Sequence, residues 1–488
     1  MHSYMLRVST PTQLHLIGYD KRKSELLKQL SYVDNKIDYQ LRKFKSGASW
    51  FIRRNGQEAY ELRVNELLAE RTKSLLFEDD SGLWTYSGLA TQLAESMDDR
   101  IQAGPARPSP KAIPWATAPA YPNRYYQDKA EEKLLEAGHA GVEIGTGLGK
   151  STIIRNLLKA IGLQAVIMAP SVNIALQLYD DLVLHFGKAK VGQFFDGKKQ
   201  FDKLFTVAVA QSLTKVAVDS PIWKKLSQAA VFIADESHQC PAATLARVCF
   251  GLVKNAPYRF FFSGTQVRND GLGMLLDAIT GPIVYRMTVQ EGVDQGFLAR
   301  PVFRMVRMKS TVTDDRGQLF DSNDVNELTR AHVYYNPQVV AAAAQMANKA
   351  VSLMGRQTLI LVDELEQWEH LAPLLRYEAK FANGGPKSDP KELVARFNAG
   401  EFPILVGTSC VATGTDFKTV QCIIYLRGGK SEIEIKQGVG RGTRLVPGKA
   451  DCIVIDFAID NVEQLARHAK ARKALYSEIY PSYSEVTI

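Results

Sequence analysis

A glycine-rich stretch constrains the fold of this chain more than any other feature. Residues 145–151 are Gly-Thr-Gly-Leu-Gly-Lys-Ser, after Val142-Glu143-Ile144, which is predicted to end a strand, and before a helical pattern at 152–160. A loop between a strand and a helix N-terminus points backbone N–H groups at anionic oxygens. The strict form of the pattern has glycine at 144, where this chain has isoleucine. We therefore predict a phosphate-binding loop within an α/β fold.

The chemistry of this loop predicts ATP and Mg²⁺ as its ligands. The ammonium of Lys150 would reach the β- and γ-phosphates, and the hydroxyl of Ser151 would hold Mg²⁺. The predicted cofactor-binding residues in this stretch are Gly145, Thr146, Gly147, Leu148, Gly149, Lys150, Ser151 and Thr152.

A second apolar run ends in two acids. Val231–Ala234 is followed by Asp235-Glu236-Ser237-His238, and ligands of α/β folds bind at the carboxyl ends of the strands. We predict that Asp235 coordinates the magnesium through a water molecule and that Glu236 orients and deprotonates the attacking water. The alternative is a solvated helix N-cap.

The charge and the cysteine content indicate which kind of partner and which cellular compartment to expect. The 488 residues carry a net charge of +8 with a pI near 9.0, which fits a polyanionic partner and equally a charge that only maintains solubility. The five scattered cysteines favour a reducing compartment. The chain lacks both an apolar run of about 20 residues and a signal-peptide core. We expect a cytoplasmic protein with no membrane partner.

The chain length and a proline-rich segment predict several domains. Six prolines within residues 103–122 exclude a helix or a central strand there and indicate a linker or an extended strap. The segment before it mixes β-like runs at 5–8, 14–18 and 49–53 with helical stretches at 59–73 and 87–97, which predicts a small α+β domain. Its first half is basic and would suit the phosphates of a DNA duplex, or is only a solvated face.

Beyond residue 125, apolar runs alternate with helical segments. This alternation predicts two α/β lobes with parallel sheets. The strands of the first lobe are predicted at 165–169, 206–210, 231–234 and 260–263, and those of the second at 359–362, 404–407, 423–426 and 452–456. The stretch 290–302 between the two sets is the expected hinge.

A glycine-punctuated turn near the other end supplies further charge. Residues 437–444 are Gln-Gly-Val-Gly-Arg-Gly-Thr-Arg, and positioned arginines stabilise the transition state of phosphoryl transfer. We predict that Gln437, Arg441 and Arg444 take part in catalysis. The alternative for the arginines is surface charge.

The ordered motifs over about 120–460 resemble those of superfamily 2 helicases of the DExH kind. The segments Arg268-Asn269-Asp270, Gly281–Tyr285 and Gly296–Leu298 resemble most the branch of XPB, RadD and the phage helicase UvsW, although Asn269 replaces an acid. The resemblance implies that Gln127 reads adenine, that Gly414 and Asp416 contact ribose or γ-phosphate, and that Arg441 and Arg444 are arginine fingers.

The resemblance also implies a domain plan. It comprises an N-terminal accessory domain that binds duplex or branched DNA, a linker, two tandem RecA-like lobes, and a C-terminal helix and tail. The predicted bounds are 1–102, 103–122, 123–298, 299–460 and 461–488.

Nucleic acid would lie across both lobes, on small polar groups that suit phosphates. Ordinary loop and capping chemistry is the alternative for each of these groups. The predicted contacts are Pro170, Ser171, Gln177, Gln211, Ser212, Arg268, Thr408 and Thr413.

The function we expect is an ATP-dependent DNA helicase or translocase that unwinds or branch-migrates forks and Holliday junctions. An RNA helicase, a duplex translocase that does not separate strands, and an ATP-locked nucleic-acid clamp are the alternatives.

Overall fold

A computed structural model describes residues 4–237, 242–264, 272–385, 389–408, 417–429, 439–440, 442–446 and 448–488. The chain divides into two compact units. The first comprises Met1–Glu143 with Ser151–Arg286, and the second comprises Ile144–Lys150 with Met287–Ile488. No helix among the described residues is long and apolar enough to cross a membrane.

The first unit begins with a small α+β module. Its five-stranded sheet has the order β5-β6-β2-β1-β7, and β3 pairs separately with β4. The strands are β1 Met5–Thr10, β2 Gln13–Ile17, β3 Ser31–Val33, β4 Thr72–Ser74, β5 Phe77–Asp79, β6 Gly82–Tyr86 and β7 Ile101–Gln102. The helices are α1 Lys23–Gln29, α2 Asn35–Ser46, α3 Ala48–Asn55, α4 Gln57–Arg71 and α5 Ala90–Met97, with short 3₁₀ turns at Asp20–Arg22 and Ser87–Leu89.

The strand predicted at 49–53 is wrong, because these residues lie in α3. The aromatic and β-branched residues Trp50, Phe51 and Ile52 favour a strand locally. Packing decides otherwise: the Phe51 ring lies 4.8 Å from Phe44 on α2, and Phe44 stacks on Tyr60 of α4 at 5.4 Å. Tertiary contacts therefore override the local preference of this segment.

The segment predicted as a linker or strap lies along the helices of the first unit. The Lys111 N–H donates to the Ile161 carbonyl at 2.8 Å, and the Ala116 N–H donates to the His185 carbonyl at 2.8 Å. Trp115 packs its ring 5.1 Å from that of Phe186. These contacts fix the polypeptide as an extended strap.

The rest of the first unit contains a seven-stranded sheet in the order β10-β11-β9-β12-β13-β8-β14. Strands β10 to β8 in this order pair in parallel. The strands are β8 His139–Ile144, β9 Ala165–Ala169, β10 Val191–Phe194, β11 Phe205–Val209, β12 Val231–Ala234, β13 Tyr258–Ser263 and β14 Ile283–Met287. The helices are α6 Tyr125–Ala137, α7 Lys150–Ile161, α8 Val172–Phe186, α9 Ala210–Thr214, α10 Pro221–Leu226, α11 Ala242–Arg247 and α12 Gly273–Thr280, with a π-helical turn at Val248–Leu252.

The second unit contains another seven-stranded sheet, in the order β17-β18-β16-β19-β20-β15-β21, and all its pairings are parallel. The strands are β15 Arg300–Met308, β16 Thr358–Val362, β17 Ala379–Ala382, β18 Ile404–Gly407, β19 Cys422–Leu426, β20 Asp451–Ile459 and β21 Tyr483–Thr487. The helices are α13 Val289–Asp294, α14 Val325–Thr329, α15 Pro337–Met354, α16 Gln367–Leu371, α17 Pro390–Asn398 and α18 Glu463–Ile479, with short turns at Arg330–Tyr334 and Ala372–Leu374.

The predicted fold class is confirmed, since each predicted strand set lies in its own parallel sheet and a small α+β module precedes them. The predicted hinge stretch 290–302 contains most of α13 and the start of β15. The C-terminal segment supplies α18 and then β21, which joins the sheet beside β15.

Candidate nucleotide and nucleic-acid site

The phosphate loop, residues 145–151, connects β8 to α7 in the conformation that its glycines permit. Gly147 and Gly149 have φ angles of 86° and 80°, a region that residues with a Cβ rarely adopt. The Leu148 N–H donates to the Gly145 carbonyl at 3.2 Å. Lys150 opens α7, and its Nζ donates to the Ile144 carbonyl at 3.3 Å. The loop therefore presents backbone amides and an ammonium at a helix N-terminus, which is a favourable site for phosphate.

The same loop packs against the turn 439–444, of which residues 439–440 and 442–444 are described, within the second unit. A Cβ placed on Gly440 would lie 2.4 Å from the Thr146 Cβ, and one on Gly147 would lie 3.6 Å from the Thr443 hydroxyl oxygen. The Thr443 hydroxyl donates to the Gly440 carbonyl at 3.0 Å and holds the turn. The two glycine-rich stretches of the sequence are thus in direct contact.

Arg444 leaves this turn in extended backbone. It forms an antiparallel bridge with Leu298, and the Ala299 N–H donates to the Thr443 carbonyl at 2.7 Å. A Cβ placed on Gly147 would lie 3.1 Å from the Leu298 side chain, so the backbone of the half-buried Arg444 pairs with a residue that contacts the phosphate loop. Gln437 and Arg441 lie outside the described residues.

A buried lysine lies behind this turn, and its burial was not predicted from the sequence. Lys449 is only 4% exposed, and its Nζ donates to the Lys418 carbonyl at 3.5 Å. Burial lowers the pKa of Lys449 to about 8; the nearby Cys452 opposes this shift and the charge of Arg444 adds to it. A lone lysine beside a glycine in sequence carries no signal of burial, so only the folded chain reveals it.

The acids follow β12 at the carboxyl edge of the first sheet. The Asp235 N–H donates to the Met168 carbonyl at 2.9 Å, and its side-chain Oδ1 accepts from the Glu236 N–H at 3.0 Å. Glu236 has a positive φ of 46°, an uncommon value for a residue other than glycine and typical of functional sites. Asp235 is 8% exposed. The Asp235 carboxylate therefore has a defined orientation at the strand end.

A hydroxyl links the acids to the neighbouring strand. Ser237 Oγ donates to the Phe262 carbonyl of β13 at 3.3 Å, and both groups are buried. Ser263, the last residue of β13, pairs in register with Glu143 of β8. The segment after the acids is therefore connected to the strand that ends in Ser263-Gly264.

Gln127 lies in the first turn of α6 and is 5% exposed. Its Oε1 accepts from the Arg124 N–H at 2.9 Å, and the Arg124 guanidinium donates to the Tyr126 hydroxyl at 3.0 Å. The amide is therefore held in a fixed orientation by the capping of its own helix. Gly414 and Asp416, the other predicted nucleotide contacts, lie outside the described residues.

The predicted nucleic-acid contacts of the first unit follow successive strands. Pro170 and Ser171 join β9 to α8, and the buried Ser171 Oγ has no hydrogen-bond partner among the described residues. Gln177 is exposed on α8, and Gln211 and Ser212 lie on α9 directly after β11. These groups share one edge of the sheet, because parallel strands end together.

In the second unit, Thr408 follows β18, and its N–H donates to the Ala382 carbonyl at 3.3 Å. Arg268 and Thr413 lie outside the described residues.

Three lysines beside Ser212 were missed by the sequence analysis. They line a cavity of about 370 Å³ that also includes Phe195. The rings of Phe194 and Phe195 are buried in the protein, so neither is available to stack on a base. The adjacent lysines Lys198 and Lys199 are the sequence feature that could have indicated this basic cluster. The three lysines are Lys198, Lys199 and Lys215.

Two domain families match the chain in the order of these elements. The type III restriction enzyme res subunit family matches residues 120–268, and the helicase conserved C-terminal domain matches residues 343–446. The first match contains the phosphate loop and the acids, and the second ends just beyond Arg444.

Individual relatives are distant. A DNA 3'-5' helicase Rad25, described as putative, from Halobacterium salinarum is 25% identical over 71% of this chain, and the chain spans 56% of that relative, about half of its length. The probable helicase D10 of Escherichia phage T5 is 24% identical over 68% of this chain and 70% of the phage protein.

Among solved structures, the fragment of a type I restriction enzyme HsdR subunit, described as putative, from Vibrio vulnificus has a TM-score of 0.54 at 19% identity. The likeness covers 75% of this chain and 68% of that one, and it concerns the fold. The two matched domain families, in the same order as the phosphate loop, the acids and the arginine-bearing turn, place this chain in superfamily 2 of the helicases, a family of ATP-hydrolysing enzymes.

Proposed function

We propose that this protein is an ATP-dependent DNA helicase or translocase that acts on branched DNA. The observation that carries the proposal is the packing of the phosphate loop on the turn 439–444, through Thr146 and Gly440. A nucleotide held by this loop would lie beside a segment that carries arginines. Positioned cationic charge of this kind accelerates phosphoryl transfer by about 10³ to 10⁵.

The proposed roles follow from the chemistry of each side chain. Lys150 binds the β- and γ-phosphates, Glu236 orients and deprotonates the attacking water, and Arg444 stabilises charge on the transferring phosphoryl group, together with Arg441 and Gln437. Gln127 contacts adenine, and Gly414 with Asp416 contacts ribose or γ-phosphate.

A magnesium ion fits the donors available in the first unit. The Ser151 hydroxyl and the Asp235 carboxylate are hard oxygen ligands, which Mg²⁺ prefers alongside waters and substrate phosphates. When bound, the ion supplies positive charge to the phosphate oxygens. Asp235 is oriented for this role by its bond to the Glu236 N–H.

DNA is the proposed track because of the net charge of +8 and the relation to Rad25 and to a phage helicase. The phosphate contacts proposed are Pro170, Ser171, Gln177, Gln211, Ser212, Arg268, Thr408 and Thr413. Forks and Holliday junctions are proposed from the resemblance to the branch that includes UvsW.

The test measures ATP hydrolysis and strand displacement on forked DNA, four-way DNA, linear duplex, single strands and an RNA fork. We expect low basal hydrolysis, strong stimulation by branched DNA, and loss of both activities in Lys150→Ala and Arg444→Ala. Lys254→Ala, at an exposed lysine of the first unit, is the control. Full strand separation by Lys150→Ala would refute the proposal.

The likeness to a restriction-enzyme subunit favours one second candidate, a duplex translocase that does not separate strands. Such a protein would hydrolyse ATP with linear duplex and displace a triplex-forming strand ahead of it without releasing single strands. Hydrolysis without movement would indicate a clamp, and preference for the RNA fork would indicate an RNA helicase.

A further inference from the structure

Residues 31–74 form a separate helical excursion within the N-terminal module, which we name the basic arm. Its two ends are joined by an antiparallel ribbon in which Ser31 pairs with Ser74 and Val33 pairs with Thr72. The Asp34 N–H also donates to the Arg71 carbonyl at 2.9 Å. Between these ends, α2 and α3 make their most extensive packing against α4. The arm is therefore an ordered unit whose two ends are held together by its own β-ribbon.

Aromatic packing and a buried carboxylate hold the helices of the arm together. Phe44 of α2 lies 4.8 Å from Phe51 of α3 and stacks on Tyr60 of α4. Asp38 is buried on α2 and pairs with Arg71 at the end of α4 and with Arg42. The fold of the arm thus accounts for these residues, whereas the lysines of α2 and the arginines of α3 lie on the surface.

Charge is segregated between the helices of the arm. On α2 and α3 the only acid is the buried Asp38, whereas α4 carries four glutamates and two arginines. One side of the arm is therefore strongly cationic, as a polyanion requires. The exposed cations of α2 and α3 are Lys36, Arg42, Lys43, Lys45, Arg53 and Arg54.

Two large aromatic side chains lie exposed among these cations. Trp50 on α3 is 63% exposed and Tyr39 on α2 is 66% exposed. The Arg54 guanidinium lies 5.5 Å from the centre of the Trp50 ring, so a flat apolar face and a positive charge occur together. Proteins that bind single strands combine such aromatic platforms with basic tracks.

We infer that α2 and α3 bind the phosphate backbone of DNA and that Trp50 stacks on a base at a branch point. The faces of bases in a continuous duplex are covered by their neighbours. An indole ring can therefore reach one only where the duplex ends or its strands part. The choice of branched DNA rests on the proposed function, whereas the contact surface rests on the residues of the arm.

The test is equilibrium binding of the full-length protein, by fluorescence anisotropy, to a DNA fork, a linear duplex and an RNA fork. Trp50→Ala should weaken binding to the DNA fork about tenfold, which is within the range for one stacked base. It should change binding less than twofold for a linear duplex that is long enough for most binding sites to lie away from its ends. Trp50→Phe should retain most of the affinity, and the matched control Leu62→Ala, 63% exposed on α4, should behave as wild type.

The cations are tested separately through the salt dependence of binding. Lys43→Gln with Lys45→Gln should weaken binding to both DNA substrates and reduce the slope of log affinity against log salt by about 1.8, or 0.9 per phosphate contact. ATP hydrolysis without DNA should be unchanged, as should the melting temperature, because all the substituted side chains are exposed.

Unchanged fork binding by Trp50→Ala would overturn the inference, and so would an equal loss on linear duplex or on the RNA fork. These outcomes are independent of the proposed function. If the wild-type protein does not separate strands but Trp50→Ala still weakens fork binding, the DNA contact of the basic arm is supported and the helicase function is refuted. If the wild-type protein separates strands and Trp50→Ala binds the fork normally, the helicase function is supported and the DNA contact of the basic arm is refuted.

Discussion

At the scale of single residues, Gly440 lacks a side chain because its backbone lies against Thr146. We expect Gly440→Ala to displace the phosphate loop and reduce DNA-stimulated ATP hydrolysis about 100-fold, since shifts near 1 Å can have this effect. The kcat of the variant measures the loss. Gly384→Ala is the control, because a Cβ there meets no atom within 4 Å. Normal hydrolysis by Gly440→Ala would show that the contact is dispensable.

Lys449 makes stability depend on pH. Its pKa is about 8 in the folded protein and is ordinarily 10.5, so between these values the unfolded chain binds more protons. Stability should therefore rise as the pH increases from 8 to 10.5, by about 3 kcal/mol in total. Lys449→Met should abolish this rise and be more stable than wild type at pH 7. Denaturant unfolding at pH 7, 8.5 and 10 tests this, and a rise that persists in the variant would contradict it.

At the scale of elements, the N-terminal module packs against the first lobe through an aromatic pair. The Tyr86 ring at the end of β6 stacks on Phe250 at 3.6 Å, with the ring planes 6° apart. We expect Tyr86→Ala to destabilise this contact by about 1 to 3 kcal/mol and to speed proteolysis within residues 103–122. Tyr39→Ala, an exposed tyrosine of the same module, should not change the digestion rate. Equal rates for both variants would argue against the packing role.

Helix α18 is attached to the second sheet by a buried ion pair. Arg472 Nε donates to the Asp456 carboxylate at 2.7 Å, and the Tyr476 hydroxyl donates to the same group at 2.8 Å. Arg472→Met leaves this carboxylate buried with one partner fewer and should cost about 3 to 5 kcal/mol. Thermal unfolding should show little change for Arg467→Met, an exposed arginine on the same helix. A similar melting temperature for both variants would contradict the prediction.

At the scale of the whole molecule, the N-terminal module shares a hydrophobic core with the first lobe. Ala278 of α12 is fully buried in the module's core, and Met274 and Leu275 pack against it. Removing residues 1–102 should therefore expose apolar surface on α12 and increase binding of a hydrophobic dye. The truncated protein should also melt at a lower temperature. Unchanged dye binding would show that the two parts are independent.

The parallel sheets were predictable because their strands are short apolar runs that are buried on both faces. β9, β12 and β18 have the predicted bounds, and β8, β13, β16 and β19 extend a predicted run by one to three residues. Strands β10, β14, β15, β17 and β21 were missed. β15 begins within the stretch taken as a hinge, and β21 contains exposed polar residues whose pairing depends on β15.

The sequence by itself determined the phosphate loop, the acids after β12 and the alternation that yields two parallel sheets, because each depends on neighbouring residues. Only the tertiary structure decided three other features. It brought Gly440 against Thr146, it turned 49–53 into a helix through Phe44 and Tyr60, and it buried Arg472 against Asp456. Each of these features depends on residues distant in the chain or on packing that overrides the local preference of a segment. The sequence of one segment does not indicate which other segment will pack against it.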